Sequence, residues 1–402
     1  MTESPHNTEE SGLLNIDDVV VAAANLLGAR LGGEPELFEP VDLGGSGRSL
    51  VVRVRVAPNP FLADRSVVIK QLPADEGDGL TMSFVREVVA YQYTTTLPED
   101  VRPGPMLLAY DINRRILVIS DIGDGDNFAD IFASGNVDAR RRALNLLGHA
   151  LGRVHAGTFD SEQSMRTLTN RMHTKLDLPA ESHVSADHTI ANGVGVGLQL
   201  LQETNLDIPV EFMHYAENAQ RRLVKGRHRA FTPFDLSPDN IVFSSRVHFL
   251  DYEWAGFRDV TFDVAAVLAG FPQYLEAEPL TDDEAQDFLN AWRSDLRGVW
   301  PGVDDDQRLH ERVLTALVGW SLISVTVAAF GSPHAAQYTK GVPPVDIDNF
   351  VDAHSLDQED QRIDLMDTFQ ALATFAEKGS EQRHQVITEF ASRVVAYLEA
   401  RE

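Results

Sequence analysis

The chain has 402 residues, 43% of them hydrophobic and 24% charged, which is material for two compact units with their own cores. Its 34 Lys and Arg against 61 Asp and Glu leave a net charge of −27, which repels nucleic acid and anionic membrane and would favour cationic partners, with acidity that serves solubility alone as the plainer reading. Cysteine is absent, which rules out disulfides, thiolate zinc sites and cysteine nucleophiles and fits a reducing, cytoplasmic setting.

Residues 1–13, MTESPHNTEESGL, are polar and acidic, without the positive start and apolar stretch of a secretion signal, and read as a disordered acidic tail. From about Leu37 to Ser120 the pattern is that of short strands. Leu50, Val52, Val54 and Val56 alternate with Val51, Arg53 and Arg55 at a period of two, and Val67 to Leu72 and Arg115 to Ser120 read the same way. Between them, Ser83 to Thr96 lacks Gly and Pro, offers Ser83 as an N-cap, and spaces Phe84, Val88 and Tyr91 for a helix. After Gly125 the character changes. Arg140 to Ala156 carries Leu144, Leu147, Leu151 and Val154 on one helical stripe, and most of the chain beyond Ala156 is helical too. The exception is Phe231 to Trp254, where the runs Ile241 to Phe243 and Val247 to Leu250 flank Ser244-Ser245-Arg246 and predict a hairpin. Val313 to Phe330 carries no charge over eighteen residues, the lower limit for a membrane span. Thr315, Gly319, Ser321, Ser324 and Thr326 interrupt it, so it reads as a buried core helix. The expected fold class is α+β: a small antiparallel-sheet lobe over 14–122, a Gly- and Asp-rich hinge at Asp121 to Asn127, and a mainly helical lobe over 123–402.

Three segments carry residues suited to chemistry. Gly44, Gly45, Ser46 and Gly47 sit between two strands, where backbone amides can approach a phosphate without side chains in the way. A Walker loop would need glycine at position 42, lysine at 48 and a helix to follow; the chain has Asp42, Arg48 and a strand, so an ordinary glycine turn remains the alternative. Lys70 lies near the end of an apolar strand, where an unpaired ammonium is expensive, so it needs an anionic partner, and Glu87 on the next helix is the natural one. A lysine snorkelling to the surface is the competing reading. The third segment is Phe231 to Asn240 with Phe249 to Trp254. Phosphoryl transfer needs a carboxylate to receive or orient an acceptor hydroxyl and hard oxygen ligands for magnesium. Asp235, Asn240 five residues later and Asp251 sixteen beyond Asp235 supply that set from a loop and a short hairpin. Plain turn formation accounts well for Asp239 and poorly for the whole constellation.

Taken in order, these segments resemble the aminoglycoside phosphotransferase and choline kinase family, whose catalytic loop runs roughly His-Gly-Asp-Leu-His-Pro-Gly-Asn. Asp235, Leu236, Pro238 and Asn240 match that loop in register, and the family's Asp-x-Glu followed by Asp-x-Ala matches Asp251, Glu253, Asp263 and Ala265. Its Leu-His-Ala helix end resembles Leu151 to Ala156, with His155 at the histidine. Its glycine-rich loop, strand lysine and helix glutamate resemble Gly44 to Gly47, Lys70 and Glu87, and its adenine-binding hinge resembles Ile119 to Gly123. The matches span about residues 40 to 270. The resemblance implies a protein-kinase-like fold of two lobes and a kinase moving the terminal phosphoryl group of ATP, with Mg2+, to a hydroxyl of a small molecule such as an aminoglycoside, amino sugar or amino alcohol. It implies Asp235 as catalytic carboxylate, Asn240 and Asp251 as magnesium ligands, Lys70 on the phosphates, and Ser120 and Ile122 in the base-binding hinge. In this sequence Pro233 and Phe234 replace the usual His and Gly. A proline cannot make that histidine's hydrogen bonds, so the loop must be braced in another way. The same departure motivates the alternative of a nucleotide-binding pseudokinase or regulator. A protein kinase is disfavoured, because nothing after Asp251 resembles the Phe-Gly pair and Ala-Pro-Glu element of that class.

The remaining candidates read as structural. The thirteen histidines show no paired metal spacing on a helix, and His155 is expected to pack or hydrogen-bond in the large lobe. Arg221, Arg222, Lys225, Arg227 and Arg229 read as a solvated turn, with phosphate or anionic-substrate binding as the alternative. Tyr252, Trp254 and Phe257 suit core packing or an acceptor pocket equally. Residues 160–230 and 275–402 contain no motif that names the acceptor.

Overall fold

A computed structural model of the chain describes residues 13–44, 49–73, 78–178, 186–274, 279–330 and 358–400. In chain order its elements begin with α1 (Ile16–Leu31), β1 (Leu37–Asp42), β2 (Leu50–Val56), β3 (Ser66–Gln71), α2 (Asp78–Thr95), β4 (Leu107–Asp111) and β5 (Ile116–Ser120). Next come β6 (Asp126–Asn127), α3 (Phe128–Ala133), α4 (Val137–Thr158), α5 (Glu162–Lys175), α6 (Ala186–Glu203), α7 (Val210–Val224), β7 (Arg229–Thr232), β8 (Ile241–Phe243), β9 (Val247–Phe249) and β10 (Gly256–Asp259). The last run is α8 (Thr261–Leu268), α9 (Asp282–Leu296), α10 (Asp306–Phe330), α11 (Gln358–Glu377) and α12 (Gln382–Glu399). The antiparallel sheet stands on the N-terminal side and the rest is mostly helix, the α+β class that the residue pattern predicts. Two compact units divide these elements: Met1–Gly125 with Gln163–Ser182 and Leu250–Ala255, and Asp126–Glu162 with His183–Phe249 and Gly256–Glu402.

The first unit is built on a five-stranded antiparallel sheet in the order β1-β2-β3-β5-β4. Alternation does the sorting: Val52, Val54 and Val56 of β2 are buried on one face with Val67 and Ile69 of β3 and Ile116 and Val118 of β5. Helix α1 covers that face with Val19, Ala22, Ala23 and Leu27, and its start is fixed by the Asn15 side chain accepting from the Asp18 amide at 2.8 Å. Each fully buried valine or isoleucine contributes roughly 1.5 to 3 kcal/mol, so this shared face is the main source of the unit's stability. Helix α2 starts at Asp78, five residues before Ser83, so Ser83 is an interior residue and not the cap expected of it.

The second unit is helical around α10, which is long and apolar enough to cross a membrane by length and composition, yet 89% of its most apolar window is buried. It is a core helix. Helix α4 lies close along α9 because Gly148 and Gly152 face it: a Cβ at either would meet the Phe288 or Trp292 carbonyl oxygen at 2.6 or 2.8 Å. Among the helices run three short pairings, β7 with β10, β8 with β9 and β6 with β8. The β8–β9 hairpin has the expected register, Phe243 opposite Val247.

Candidate functional site

In the first unit, β3 carries Lys70 into a cluster of opposite charge. Its Nζ lies 2.9 Å from Glu87 Oε1 and 3.0 Å from Asp251 Oδ1. The Lys70 side chain is 13% exposed and that of Glu87 wholly buried, so the snorkelling alternative does not hold. Burial works against the Lys70 charge, but Glu87 and Asp251 outweigh it and raise the ammonium above its ordinary value. Burial also lifts the Glu87 carboxyl, to about 7, against the pull of Lys70 and with the like charge of Asp251 adding to the lift. One ammonium is shared by two carboxylates, and the protonated lysine is the fixed member of the three.

Helix α2 reads the Asp251 segment with one face. Ser83, Glu87 and Tyr91 recur every four residues and so stack along that face. The Ser83 hydroxyl donates to Glu253 Oε2 at 2.8 Å, and Arg86 Nε donates to the Glu253 carbonyl at 3.2 Å. The Tyr91 hydroxyl faces the Asp251 amide, and its ring packs on Tyr252 with centroids 4.5 Å apart. These contacts matter because Asp251 has φ +56°, a left-handed backbone that aspartate adopts only at a cost. Tyr252 is buried, and Trp254 is half-buried with the Arg86 guanidinium 6.0 Å from its ring.

Two other candidate elements also fall in this unit. Gly44 has φ +65° and its amide donates to Asp42 Oδ1 at 2.9 Å, a turn conformation open to glycine; Gly45, Ser46 and Gly47 lie outside the described residues. At the hinge, Ser120 is occupied on both sides by Met106, its amide donating to the Met106 carbonyl and its hydroxyl accepting from the Met106 amide, each at 2.9 Å. Arg53 Nε and the Ser66 hydroxyl hold the Asp121 carboxylate at 3.0 and 2.7 Å, and the Gly123 amide donates to it at 2.9 Å. Ile122 between them makes no backbone hydrogen bond among the described residues, which leaves its amide and carbonyl available for a ligand edge.

In the second unit, strand β7 delivers the loop that bears Asp235 and Asn240. Pro233 ends the strand, Phe234 takes φ +68°, and the Asp235 amide donates back to the Pro233 carbonyl at 2.9 Å. This three-residue γ-turn with positive φ is rare and strained, and a bulky residue there costs about 1 to 3 kcal/mol that its surroundings must supply. The Ser237 amide donates to Asp235 Oδ1 at 3.2 Å, and the Asn240 amide donates to the Ser237 carbonyl at 2.9 Å, closing a 3-10 turn over Pro238–Asn240. Asp239 accepts from the Ser237 hydroxyl, the turn-forming part foreseen for it. Both Asp235 and Asn240 are half-buried and reach the surface.

Behind the loop is a buried polar chain. Trp292 Nε1–H donates to His155 Nδ1 at 2.9 Å, which leaves the His155 proton on Nε2, 3.2 Å from Asp263 Oδ2. Asp263 in turn faces the Phe234 amide. Burial raises the Asp263 carboxyl, while His155, Arg258 and that amide hold it back. His155 is thus an internal brace of the loop, the packing role expected of it. The basic cluster differs from expectation. Arg222 is buried with its guanidinium 2.9 Å from Asp259, and Arg229 lies 3.0 Å from Glu162 and 3.1 Å from Asp187, so these two are internal ties and no solvated turn. Phe257 is buried, and opposes Phe231 in the β7–β10 ladder.

Sequence reasoning missed the second carboxylate on Lys70, the Tyr91 hydroxyl and the whole brace of Phe234. It also missed a group formed by Glu311, Glu381 and His384, whose ligand atoms lie within 4.8 Å of one another. Arg383 lies 2.9 Å from both carboxylates, Tyr215 donates to Glu311 at 2.9 Å and Gln307 to Glu381 at 2.7 Å, so the protein itself satisfies this group.

No protein-family model matches the sequence, and no curated protein matches it. The structure is similar to several solved ones. Choline kinase from Cryptosporidium parvum Iowa II is 10% identical with a TM-score of 0.47, over 96% of this chain and 100% of that one. The GDP complex of wild-type aminoglycoside 2′-phosphotransferase-IIIa is 10% identical with a TM-score of 0.46, over 87% and 98%. A choline kinase from Streptococcus pneumoniae is 16% identical with a TM-score of 0.42, over 88% and 98%.

Proposed function

We propose that the chain is a small-molecule kinase, an ATP-dependent phosphotransferase that moves the terminal phosphoryl group of MgATP to a hydroxyl of a small acceptor. The observation that carries this reading is the Lys70–Glu87–Asp251 cluster, with Asp251 in a left-handed backbone that faces Tyr91. A structural ion pair needs one carboxylate and no strain; a site that must present both a cation to phosphates and a carboxylate to a metal needs this arrangement. Asp251 would offer magnesium a carboxylate a third exposed, and Asn240 a neutral amide oxygen, each a hard ligand. Magnesium would neutralise charge on the transferring phosphate.

The chain's own residues then divide the work. Lys70, kept charged by its carboxylates, binds phosphate oxygens. Ile122 offers its free backbone groups to the base, and Gly44 opens the phosphate-binding turn. The Asp235 carboxylate, oriented by the Ser237 amide on Oδ1, accepts the proton from the acceptor's hydroxyl oxygen. As that oxygen bonds to the terminal phosphorus, the bond from phosphorus to the bridging oxygen breaks and ADP leaves. Catalysis is by positioning and electrostatics, with no covalent enzyme intermediate. The net charge of −27 leans the acceptor towards cationic alcohols such as aminoglycosides, amino sugars and amino alcohols.

Pro233 and Phe234 motivate a second reading, a nucleotide-binding protein without transfer activity. Against it, Phe234 keeps the left-handed backbone that a glycine would take. ATP consumption across aminoglycosides, amino sugars, choline-like alcohols and nucleosides, with the product identified by mass, separates the two. A phosphorylated acceptor is expected. Thermal stabilisation by MgATP with no product from any of these acceptors would sink the kinase reading in favour of the second.

A further inference from the structure

We propose that Phe234 is a positioning residue for Asp235, and that Trp320 and Arg258 form the clamp that holds it. The inference rests on Asp235 being the proton-accepting carboxylate and deepens that assignment by naming what sets its backbone. The Phe234 ring is buried against two flat groups: the Trp320 ring stacks on it with centroids 4.8 Å apart and planes 22° apart, and the Arg258 guanidinium carbon lies 4.6 Å from its centroid.

Each jaw is itself fixed. Trp320 Nε1–H donates to the Phe262 carbonyl at 2.7 Å, which sets the tilt of the indole. Arg258 has no exposed surface; its Nε lies 2.8 Å from Asp187 Oδ1 and its Nη1 donates to the Thr232 hydroxyl at 3.3 Å. Gly256 makes room for it, since a Cβ there would meet Arg258 Nη2 at 3.0 Å. The Phe234 amide meanwhile faces the Asp263 carboxylate, and the Asp235 amide donates to the Pro233 carbonyl. Ring and backbone are therefore held at once, and φ +68° is the only left-handed position in the segment from Ala230 to Asn240.

The physical point is a substitution of means. A glycine reaches this backbone angle without strain but leaves it free to move, whereas a phenylalanine reaches it only under restraint and, once clamped, cannot drift. Asp235 is the next residue, so the direction of its carboxylate is set by the clamp. Ordinary core packing would be served equally by any apolar side chain of similar volume at 234 or 320. A clamp needs flat partners.

Trp320→Leu, Trp320→Phe, Phe234→Gly and Asp235→Asn test this, with thermal stability measured for each. The first readout is hydrogen–deuterium exchange of the segment 233–240 in the protein without nucleotide. Trp320→Leu and Phe234→Gly are expected to speed exchange there by about tenfold, while Trp320→Phe, which keeps a flat ring, stays near wild type. The second readout is turnover on an acceptor that the ATP-consumption assay identifies: Trp320→Leu loses roughly tenfold to a hundredfold in kcat with the KM for ATP little changed. Exchange that is unaltered in both Trp320→Leu and Phe234→Gly overturns the clamp, as does Trp320→Phe proving as damaging as Trp320→Leu. The exchange result stands apart from the assignment of Asp235: full turnover by Asp235→Asn removes that assignment, and an inactive Asp235→Asn beside fully active clamp variants removes the clamp alone.

Discussion

Replacing Lys70 with methionine isolates the energetics of the charged cluster. The variant leaves Glu87 as a carboxyl without exposed surface, and stripping one partner from a buried pair costs about 3 to 5 kcal/mol when the other cannot adapt. Glu87 can adapt, because burial already lifts its carboxyl to about 7, and without Lys70 the lift is greater still. A carboxyl raised in the folded state contributes stability that is complete below its unfolded value, near 4.5, and that is lost as the pH climbs through the folded value. The cost of Lys70→Met is therefore small in acid, about 1 kcal/mol near pH 5, and rises to about 2 kcal/mol near pH 8, because the wild-type carboxyl titrates only about one unit below that pH. Substituting both residues, Lys70→Met with Glu87→Leu, replaces the pair by apolar groups of similar size and should return stability to within about 1 kcal/mol of wild type. Chemical denaturation of the three proteins at both pH values, in the presence of a chelator, measures each term. Equal cost at the two pH values, or a double variant no more stable than the single one, would refute the description of Glu87 as a buried carboxyl whose lift Lys70 restrains.

Neighbouring contacts lead to two further outcomes. Tyr91→Phe removes the hydroxyl that faces the Asp251 amide while keeping the ring on Tyr252, so the magnesium concentration for half-maximal turnover should rise, by about threefold to tenfold, with kcat at saturating magnesium within twofold; an unchanged magnesium dependence contradicts this. Asp259→Ala strips the counter-charge from Arg222 and Arg312, both ion-paired to it, and should lower unfolding stability by about 3 to 5 kcal/mol; a loss below about 1 kcal/mol would mean that the pair of guanidiniums is sustained by other groups.

Much of the fold was legible because burial imprints periodicity. The period-two run from Leu50 to Val56 became β2 as read, and the stripe of Leu144, Leu147, Leu151 and Val154 became the buried face of α4. Helix α1 and strand β4 were passed over: α1 opens with an acidic turn next to a polar tail, and β4 is five residues long with Tyr110 and Asp111 at its end. The β7–β10 pairing was hidden because its strands are four residues each and far apart in sequence. At the site, Lys70 and Glu87 could be paired in advance because charge neutrality demands a partner for a cation on an apolar strand. The part of Tyr91 could not be read, since its hydroxyl serves a backbone angle at Asp251 that no residue pattern records. Phe234 announced itself only as a departure from glycine. Its clamp depends on Trp320 and Arg258, which folding brings together from separate segments, and that information is tertiary.

The most direct test of the account is the phosphoryl transfer rate of Asp235→Asn beside its affinity for MgATP. The account predicts a folded protein that binds MgATP as wild type does and transfers to its acceptor roughly a hundredfold or more slowly. Wild-type turnover by that variant, or wild-type protein that fails to bind MgATP at all, would contradict it.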